Sequence, residues 1–301
     1  MLTRRRFLTL TAALPLASVP AHRAGAAPLH VATGHALGAR ATLRLAHPDA
    51  PAMAARAFAE IARLEDVFSL YRPQSALMRL NAAGFLPDPP FELLECLTLA
   101  GRVHAASGGR FDPTVQPLWA LHAAAAVTGR LPDPAALAAV PRGWARVALA
   151  TDQIRLEPGM ALTLNGIAQG YIADRIAALL EAEGLSDVLI DTGELRAPGK
   201  GAQDRVWPVR LPDGRSLPLH GRALATSAPK GTTFDAQAQR SHILDPRSGN
   251  PTAAAWRAVS IAAPRAALAD ALSTAACLMP QRAEIEALCA EFDGCAMVAL
   301  V

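Results

Sequence analysis

The stretch RVALATDQIRLEPGMALTLNGIAQGYIADRIAALLEAEGLSDVLID, residues 146–191, decides the fold. Arg146 to Leu164 reads as two strands around Glu157-Pro158-Gly159, because short apolar runs flank a Pro-Gly turn signal. Ala168 to Glu183 reads as a helix stopped by Gly184, and Asp187 to Asp191 as a buried strand. Working outward, Leu29 to Leu45 alternates like a hairpin around a Gly34 to Gly38 turn. Ala52 to Phe68 has the three-to-four spacing of an amphipathic helix. Ser75 to Asn81 predicts a short helix capped by Ser75, and Phe91 to Ala106 a longer one ended by Ser107-Gly108-Gly109. On the other side, Val206 to Leu211, Ala223 to Ser227, Arg257 to Ala262 and Ala296 to Val301 predict strands, while Arg265 to Met279 and Gln281 to Glu291 predict helices. Long helices mixed with runs of hairpins imply an α+β fold with antiparallel-rich sheets rather than a doubly wound sheet. No repeat or linker-like stretch marks a domain boundary, so the expectation is one compact unit of two intimate subdomains.

Composition narrows the class. The chain has 301 residues, 51% hydrophobic and 18% charged, which excludes disorder and a disulfide-stapled miniprotein. Of the 29 basic residues, Arg4, Arg5, Arg6 and Arg23 fall in the first 27 residues, which hold no acid or lysine. That leaves 25 basic residues against 26 acids in the remainder, a balance that disfavours a nucleic-acid binder. Those arginines belong to a leader: a basic Met1 to Arg6, an apolar Phe7 to Val19 broken by Pro15, and small residues at Ala24-Gly25-Ala26. The apolar stretch is too short to span a bilayer, and no later run is long enough, so no membrane span is expected in the mature chain. Thr3-Arg4-Arg5-Arg6-Phe7-Leu8 resembles a twin-arginine signature, with an ordinary secretory leader as the alternative. The expected organisation is a cleaved leader over 1–26 and a periplasmic domain over 27–301.

Cys96, Cys277, Cys289 and Cys295 show no zinc spacing. An oxidising compartment would permit a Cys289–Cys295 bridge, but buried free thiols are the favoured state in a chain of this size. Dinucleotide-fold, phosphate-loop and nucleophile-elbow motifs do not occur. Ser227-Ala228-Pro229-Lys230 matches Ser-x-x-Lys but lacks the companion Ser-Asp-Asn and Lys-Thr-Gly elements.

The motifs that survive are oxygen-rich. Asp270 and Thr274 lie four apart in a helical pattern, so a carboxylate and a hydroxyl share one face and could serve magnesium, which takes few protein ligands and fills its shell with water and phosphate. Alone, such a pair is more often a solvated acid beside a threonine that bonds back to its own helix. The segment His242 to Gly249 is polar and turn-forming and could present His242 as acid, base or donor. Phe111-Asp112-Pro113-Thr114 and Asn165-Gly166-Ile167-Ala168-Gln169-Gly170 are two further turns, the second just before a helix whose N-terminal amides favour a phosphate.

Six blocks in order resemble the ApbE family, the FAD:protein FMN transferases. They are Tyr71 to Asn81, Gly109 to Val115, Gly166 to Tyr171, Ala225-Thr226-Ser227, His242 to Gly249 and Ala269 to Thr274. The leader and the wording from Leu164 to Gly170 are similar to the branch associated with nitrous oxide reductase maturation. The resemblance implies the ApbE-like (T-fold-like) α+β fold. It also implies magnesium-dependent transfer of FMN from FAD to a Ser or Thr hydroxyl of an exported flavoprotein, with release of AMP. The acceptor would be a flavoprotein domain, for instance of a membrane-bound redox protein. By the same resemblance Asp270, Thr274 and the Gly166 backbone hold the metal, and His242 and Asp270 are catalytic. Leu37, Tyr71, Arg110, Phe111, Asp112, Thr163, Gln169, Ser227 and Leu244 then line the FAD site. The family's lipobox cysteine is missing, which implies a free periplasmic protein. Gln169 stands where the family usually has Lys, Thr163 where it has Asp, and Thr192-Gly193-Glu194 where Gly-Gly-Asp is common. A glutamine can donate to phosphate but brings no charge. The alternatives to a transferase are a non-catalytic FAD carrier and a magnesium-dependent FAD pyrophosphatase.

Overall fold

A computed structural model describes residues 28–199, 205–253 and 255–301; the expected leader lies outside the described residues. In chain order the elements are β1 (Leu29–Ala36), β2 (Ala39–Ala46), α1 (Ala50–Phe68), α2 (Ala76–Ala83), β3 (Phe85–Pro87), α3 (Phe91–Ala106), α4 (Gln116–Val127) and α5 (Pro134–Ala139). There follow β4 (Val147–Leu149), β5 (Gln153–Leu156), α6 (Ala168–Ala182), β6 (Val188–Asp191), β7 (Leu195–Ala197), β8 (Trp207–Arg210), β9 (Ser216–Leu219) and β10 (Arg222–Ser227). The chain closes with β11 (Val259–Ala263), α7 (Ala266–Ala276), α8 (Arg282–Ala290) and β12 (Ala296–Leu300). This is the expected α+β class, and it forms one unit.

Seven strands make the main sheet in the order β1-β2-β6-β7-β10-β11-β12, each antiparallel to its neighbours. Period-two alternation sorts its side chains. Val188, Ile190, Ala223 and Ile261 enter the core under the helices, whereas Leu189, Leu224 and Ala262 pack on the other face against Trp207 and Leu219 of the β8–β9 hairpin. A second, three-stranded sheet has the order β3-β5-β4.

Two turn expectations are corrected. The first hairpin turns on Leu37 and Gly38 alone, at φ 49° and 83°, a two-residue connection whose twist suits the strand pair. Gly34 instead sits inside β1, paired with Ala41. In the 146–164 region the turn falls before Gln153, where the Ala150 N–H donates to the Gln153 carbonyl at 3.0 Å. Glu157-Pro158-Gly159 merely ends β5. The segment after it is no strand, because Asn81 takes its backbone bonds: Nδ2 donates to the Leu162 carbonyl at 2.8 Å and Oδ1 accepts the Leu162 N–H at 2.7 Å. The Ser75 cap is as expected, with Oγ accepting the Met78 N–H at 3.0 Å.

Helices α6 and α7 meet at backbone distance. A Cβ on Gly170 would fall 2.7 Å from the Ala267 nitrogen and nearer still to the Ala266 carbonyl. One turn on, the buried Asp174 carboxylate accepts the Ala266 and Ala267 N–H groups at 2.8 and 3.0 Å, capping an α7 that has no cap of its own. Next to Gly170, Tyr171 is fully buried, edge-on to Phe68 with ring centroids 5.2 Å apart, and its hydroxyl donates to Glu95 at 2.6 Å. All four cysteines are free, and burial pushes the thiols of Cys289 and Cys295 up to about 11. No helix among the described residues is long and apolar enough to cross a membrane.

Gly170→Ala forces these two helices apart and should destabilise the protein by about 3 kcal/mol in urea titrations, the upper range for overpacking. A loss under about 0.5 kcal/mol would contradict the close approach.

Candidate functional site

Strand direction gathers the site. The antiparallel register places the Leu37–Gly38 turn, the end of β6 at Asp191, the start of β7, the end of β10 at Ser227 and the start of β11 at one end of the main sheet. Helix α6 begins there with Ala168, Gln169 and Gly170, and α7 passes beneath it.

On α7, Asp270 is 3% exposed and Thr274, one turn later, is half-buried. Asp270 Oδ2 accepts the Gly170 N–H at 3.2 Å. The Gly166 backbone lies against Thr274: a Cβ there would fall 2.9 Å from Thr274 Oγ1 and 3.3 Å from the Phe111 ring. Any larger residue at 166 would fill the space between backbone and hydroxyl. Ser227 Oγ lies 2.7 Å from Ser273 Oγ and 3.4 Å from Thr274 Oγ1. Gly166, Asp270, Thr274, Phe111 and Ser227, distant in sequence, are thus brought together.

The local electrostatics are lopsided. Burial pushes the Asp270 carboxyl up to about 7, only partly opposed by the Gly170 N–H. Glu194, 8% exposed, is pushed well above the usual carboxylate range by burial and then by the Asp270 charge, against one hydrogen bond from the Thr226 N–H at 3.2 Å. Among the described residues no lysine or arginine acts on either carboxyl. Among the described residues no three His, Cys, Asp or Glu side chains gather as a metal cage. A hard divalent cation here would draw on carboxylate, hydroxyl and backbone carbonyl oxygens, a set that magnesium or calcium accepts and zinc does not favour. The residues therefore fit such an ion. Glu194 is the member that motif reading missed; its signal was an acid in a tight turn between two buried strands.

The other expected residues form three groups around this centre. Leu37 donates its N–H to Glu65 at 2.7 Å, and the Tyr71 ring comes within 3.8 Å of where a Cβ on Gly38 would be; Tyr71 is 69% exposed, an open aromatic face. Gln169 packs on Gly193, and its carbonyl accepts the Thr192 hydroxyl at 2.9 Å. Thr163 donates its N–H to the Pro113 carbonyl at 2.8 Å, tying the 163–166 turn to the turn of Asp112, whose Oδ1 accepts the Thr114 N–H and hydroxyl at 2.8 and 2.7 Å. Asp112 also borders a cleft of about 440 Å³ with His104, Arg142, Arg146 and Arg247. The Arg110 guanidinium is engaged elsewhere, with Glu284 on α8 at 2.7 Å.

His242 and Leu244 belong to the third group. Leu244 is 4% exposed and packs with Leu118, Leu137 and Phe234, so its side chain holds this loop to α4 and α5. His242 Nδ1 lies 2.8 Å from the Thr232 carbonyl, which fixes a proton on that nitrogen. Burial lowers its pKa against the opposing pull of the Thr232 and Pro229 carbonyls, which favours the neutral imidazole. Its hydrogen bonds run to the 229–232 loop leaving β10 rather than to Asp270 or Thr274.

Comparison with known proteins identifies the family. The model of the ApbE family matches residues 37–299. A Treponema pallidum protein named FAD:protein FMN transferase is 32% identical over 267 residues, covering 79% of this chain and 74% of its own. A Klebsiella pneumoniae protein of the same name is 29% identical over 260 residues, covering 78% and 73%. The crystal structure of Pseudomonas stutzeri flavinyl transferase ApbE, apo form, superposes with a TM-score of 0.77 at 26% identity and covers 89% of each chain. The match runs from the Leu37–Gly38 turn into β12 and takes in the residues of the candidate site, and on that ground the chain belongs to the ApbE family.

Proposed function

We propose that this chain transfers the FMN moiety of FAD to a Ser or Thr hydroxyl of an acceptor flavoprotein, releasing AMP, with a divalent cation, magnesium, held by Asp270, Thr274 and the Gly166 carbonyl. The observation that carries this reading is that the Gly166 backbone packs against Thr274 Oγ1, one helical turn after a buried Asp270 that is itself bonded to the Gly170 N–H. The relatives' names support flavin transfer. The twin-arginine-like leader supports an exported enzyme and an exported acceptor.

In the balanced step, the acceptor oxygen attacks the FMN-side phosphorus of the diphosphate and the bond from that phosphorus to the bridging oxygen breaks. AMP departs with that oxygen, and the hydroxyl proton goes to His242 Nε2. A bound magnesium ion would neutralise the charge that develops on the phosphate oxygens. The chain's residues do the rest by position. Ser227, itself bonded to Ser273, lies against the Thr274 hydroxyl, and the Gly170 N–H orients Asp270. Gln169, uncharged, contributes a hydrogen bond to phosphate where a lysine would contribute charge. Tyr71 offers a stacking face for a flavin or adenine ring, and the cleft beside Asp112 falls within the volume range of ligand sites.

Incubating the protein with FAD, magnesium and a candidate acceptor domain tests the reading: covalent flavin fluorescence on the acceptor is expected. Free FMN with AMP would indicate a pyrophosphatase, and intact FAD a carrier. Asp270→Asn should abolish magnesium-dependent transfer with the fold intact by circular dichroism, and His242→Ala should lower turnover about 10²–10⁴-fold, the range for loss of a general base. Stability should also report the buried pair. Without metal, the folded Asp270 carboxyl holds a proton that the unfolded chain has released above about pH 4, so stability falls as pH rises from about 4 towards 7 and levels off once both states are ionised. Urea titrations in chelator should show this decline, at most about 1.4 kcal/mol per pH unit for one group, flattened in Asp270→Asn and reversed by added magnesium.

A further inference from the structure

The turn from β6 to β7, Asp191-Thr192-Gly193-Glu194, is latched onto the start of α6. Thr192 bonds the Gln169 carbonyl, its N–H donates to the Glu194 carbonyl at 3.1 Å, and Gly193 lies against the Gln169 amide. Glu194 itself turns inward. Strand β7 pairs with β10 only as far as Leu195 opposite Leu224, so the Thr226 N–H lies past the ladder between them, and Glu194 Oε2 accepts it at 3.2 Å. That bond holds the last residues of β10, where Ser227 meets Ser273 and Thr274. The same carboxylate, 8% exposed, feels the charges of Asp270 and Asp191. Two buried acids, one held harder to ionise by the other's charge and with no basic side chain among the described residues acting on either, are a costly arrangement unless a cation balances them.

We propose that Glu194 is the second acidic group of the cation centre, a positioning residue that acts through Asp270 and the end of β10. This rests on the assignment of Asp270 as a metal ligand in the proposed function. Glu194 strengthens the pull on a divalent ion by its charge and keeps Ser227 and Thr274 in register by its bond to Thr226.

Binding of Mn²⁺ alone, followed by electron paramagnetic resonance on the full chain without FAD, tests it. Glu194→Gln should weaken Mn²⁺ binding about 10–100-fold, as loss of a partner around a metal ligand does. The melting temperature of the metal-free protein should stay the same or rise, because a like charge beside Asp270 has been removed; a purely structural role predicts a fall instead. Glu194→Asp should recover part of the affinity. Affinity within threefold of the parent in Glu194→Gln overturns the proposal, as does a loss of affinity accompanied by a lower melting temperature and not recovered in Glu194→Asp. Asp270→Asn in the same assay separates the two levels: if it weakens Mn²⁺ binding and Glu194→Gln does not, only this proposal fails. If neither does, the metal assignment fails with it.

Discussion

The structure depends on the contact of α6 with α7 at Gly170. Without a Cβ at that position the α6 backbone settles on the Ala266–Ala267 peptide, and Asp174 of α6 then caps α7 through both carboxylate oxygens. Neither helix could be shifted alone. The approach sets Asp270 under the Gly170 N–H and Thr274 against Gly166, so the geometry of the candidate metal centre follows from a packing constraint a full turn away. Tyr171 and Phe68 anchor the far side of the same helix in the core, which keeps α6 from rotating about the contact.

That rigidity is what allows an unfavourable charge arrangement to persist. Asp270 and Glu194 are both buried, and the Asp270 charge makes Glu194 harder to ionise. A looser scaffold would relieve the conflict by turning one carboxylate to water. Here the Gly170 and Thr226 N–H groups hold them, and the proposed cation would recover the stability given up. Around this fixed centre the remaining features are more open: an exposed Tyr71 on one side, the cleft beside Asp112 on another, and the His242 loop, held by Leu244 in a small apolar cluster of its own. This division suits an enzyme that must admit a large dinucleotide and then a protein hydroxyl.

Much of the fold was legible along the chain. The helices Ala50–Phe68, Phe91–Ala106 and Ala168–Ala182 carry strong apolar periodicity and clear stops, and they agree with expectation to within two residues. Of the three strands of three residues, β3 and β7 were not legible, because three residues carry too little alternation to register, whereas β4 fell within a longer stretch read as strand. Helix α4 escaped for the opposite reason: Gln116–Val127 is apolar on nearly every face, so no face stands out. The misplaced turn at Glu157-Pro158-Gly159 shows a genuine turn signal marking the end of a strand, while Asn81, far away in sequence, decided that no second strand would follow.

Sequence alone determined the chemistry available: an acid and a hydroxyl one helical turn apart, a histidine in a polar turn, glycines ahead of a helix, and the ordered blocks that resemble one family. Those features are local, and local spacing on a helix or turn is set by backbone geometry that any chain shares. Only the tertiary structure decided which of them meet. It joined Gly166 to Thr274 across 108 positions, engaged Arg110 with Glu284, buried Leu244 in a packing role, and brought Glu194 to Asp270. Such pairings depend on strand order and on how closely two backbones approach, and neither leaves a mark in the stretch of sequence around a single residue.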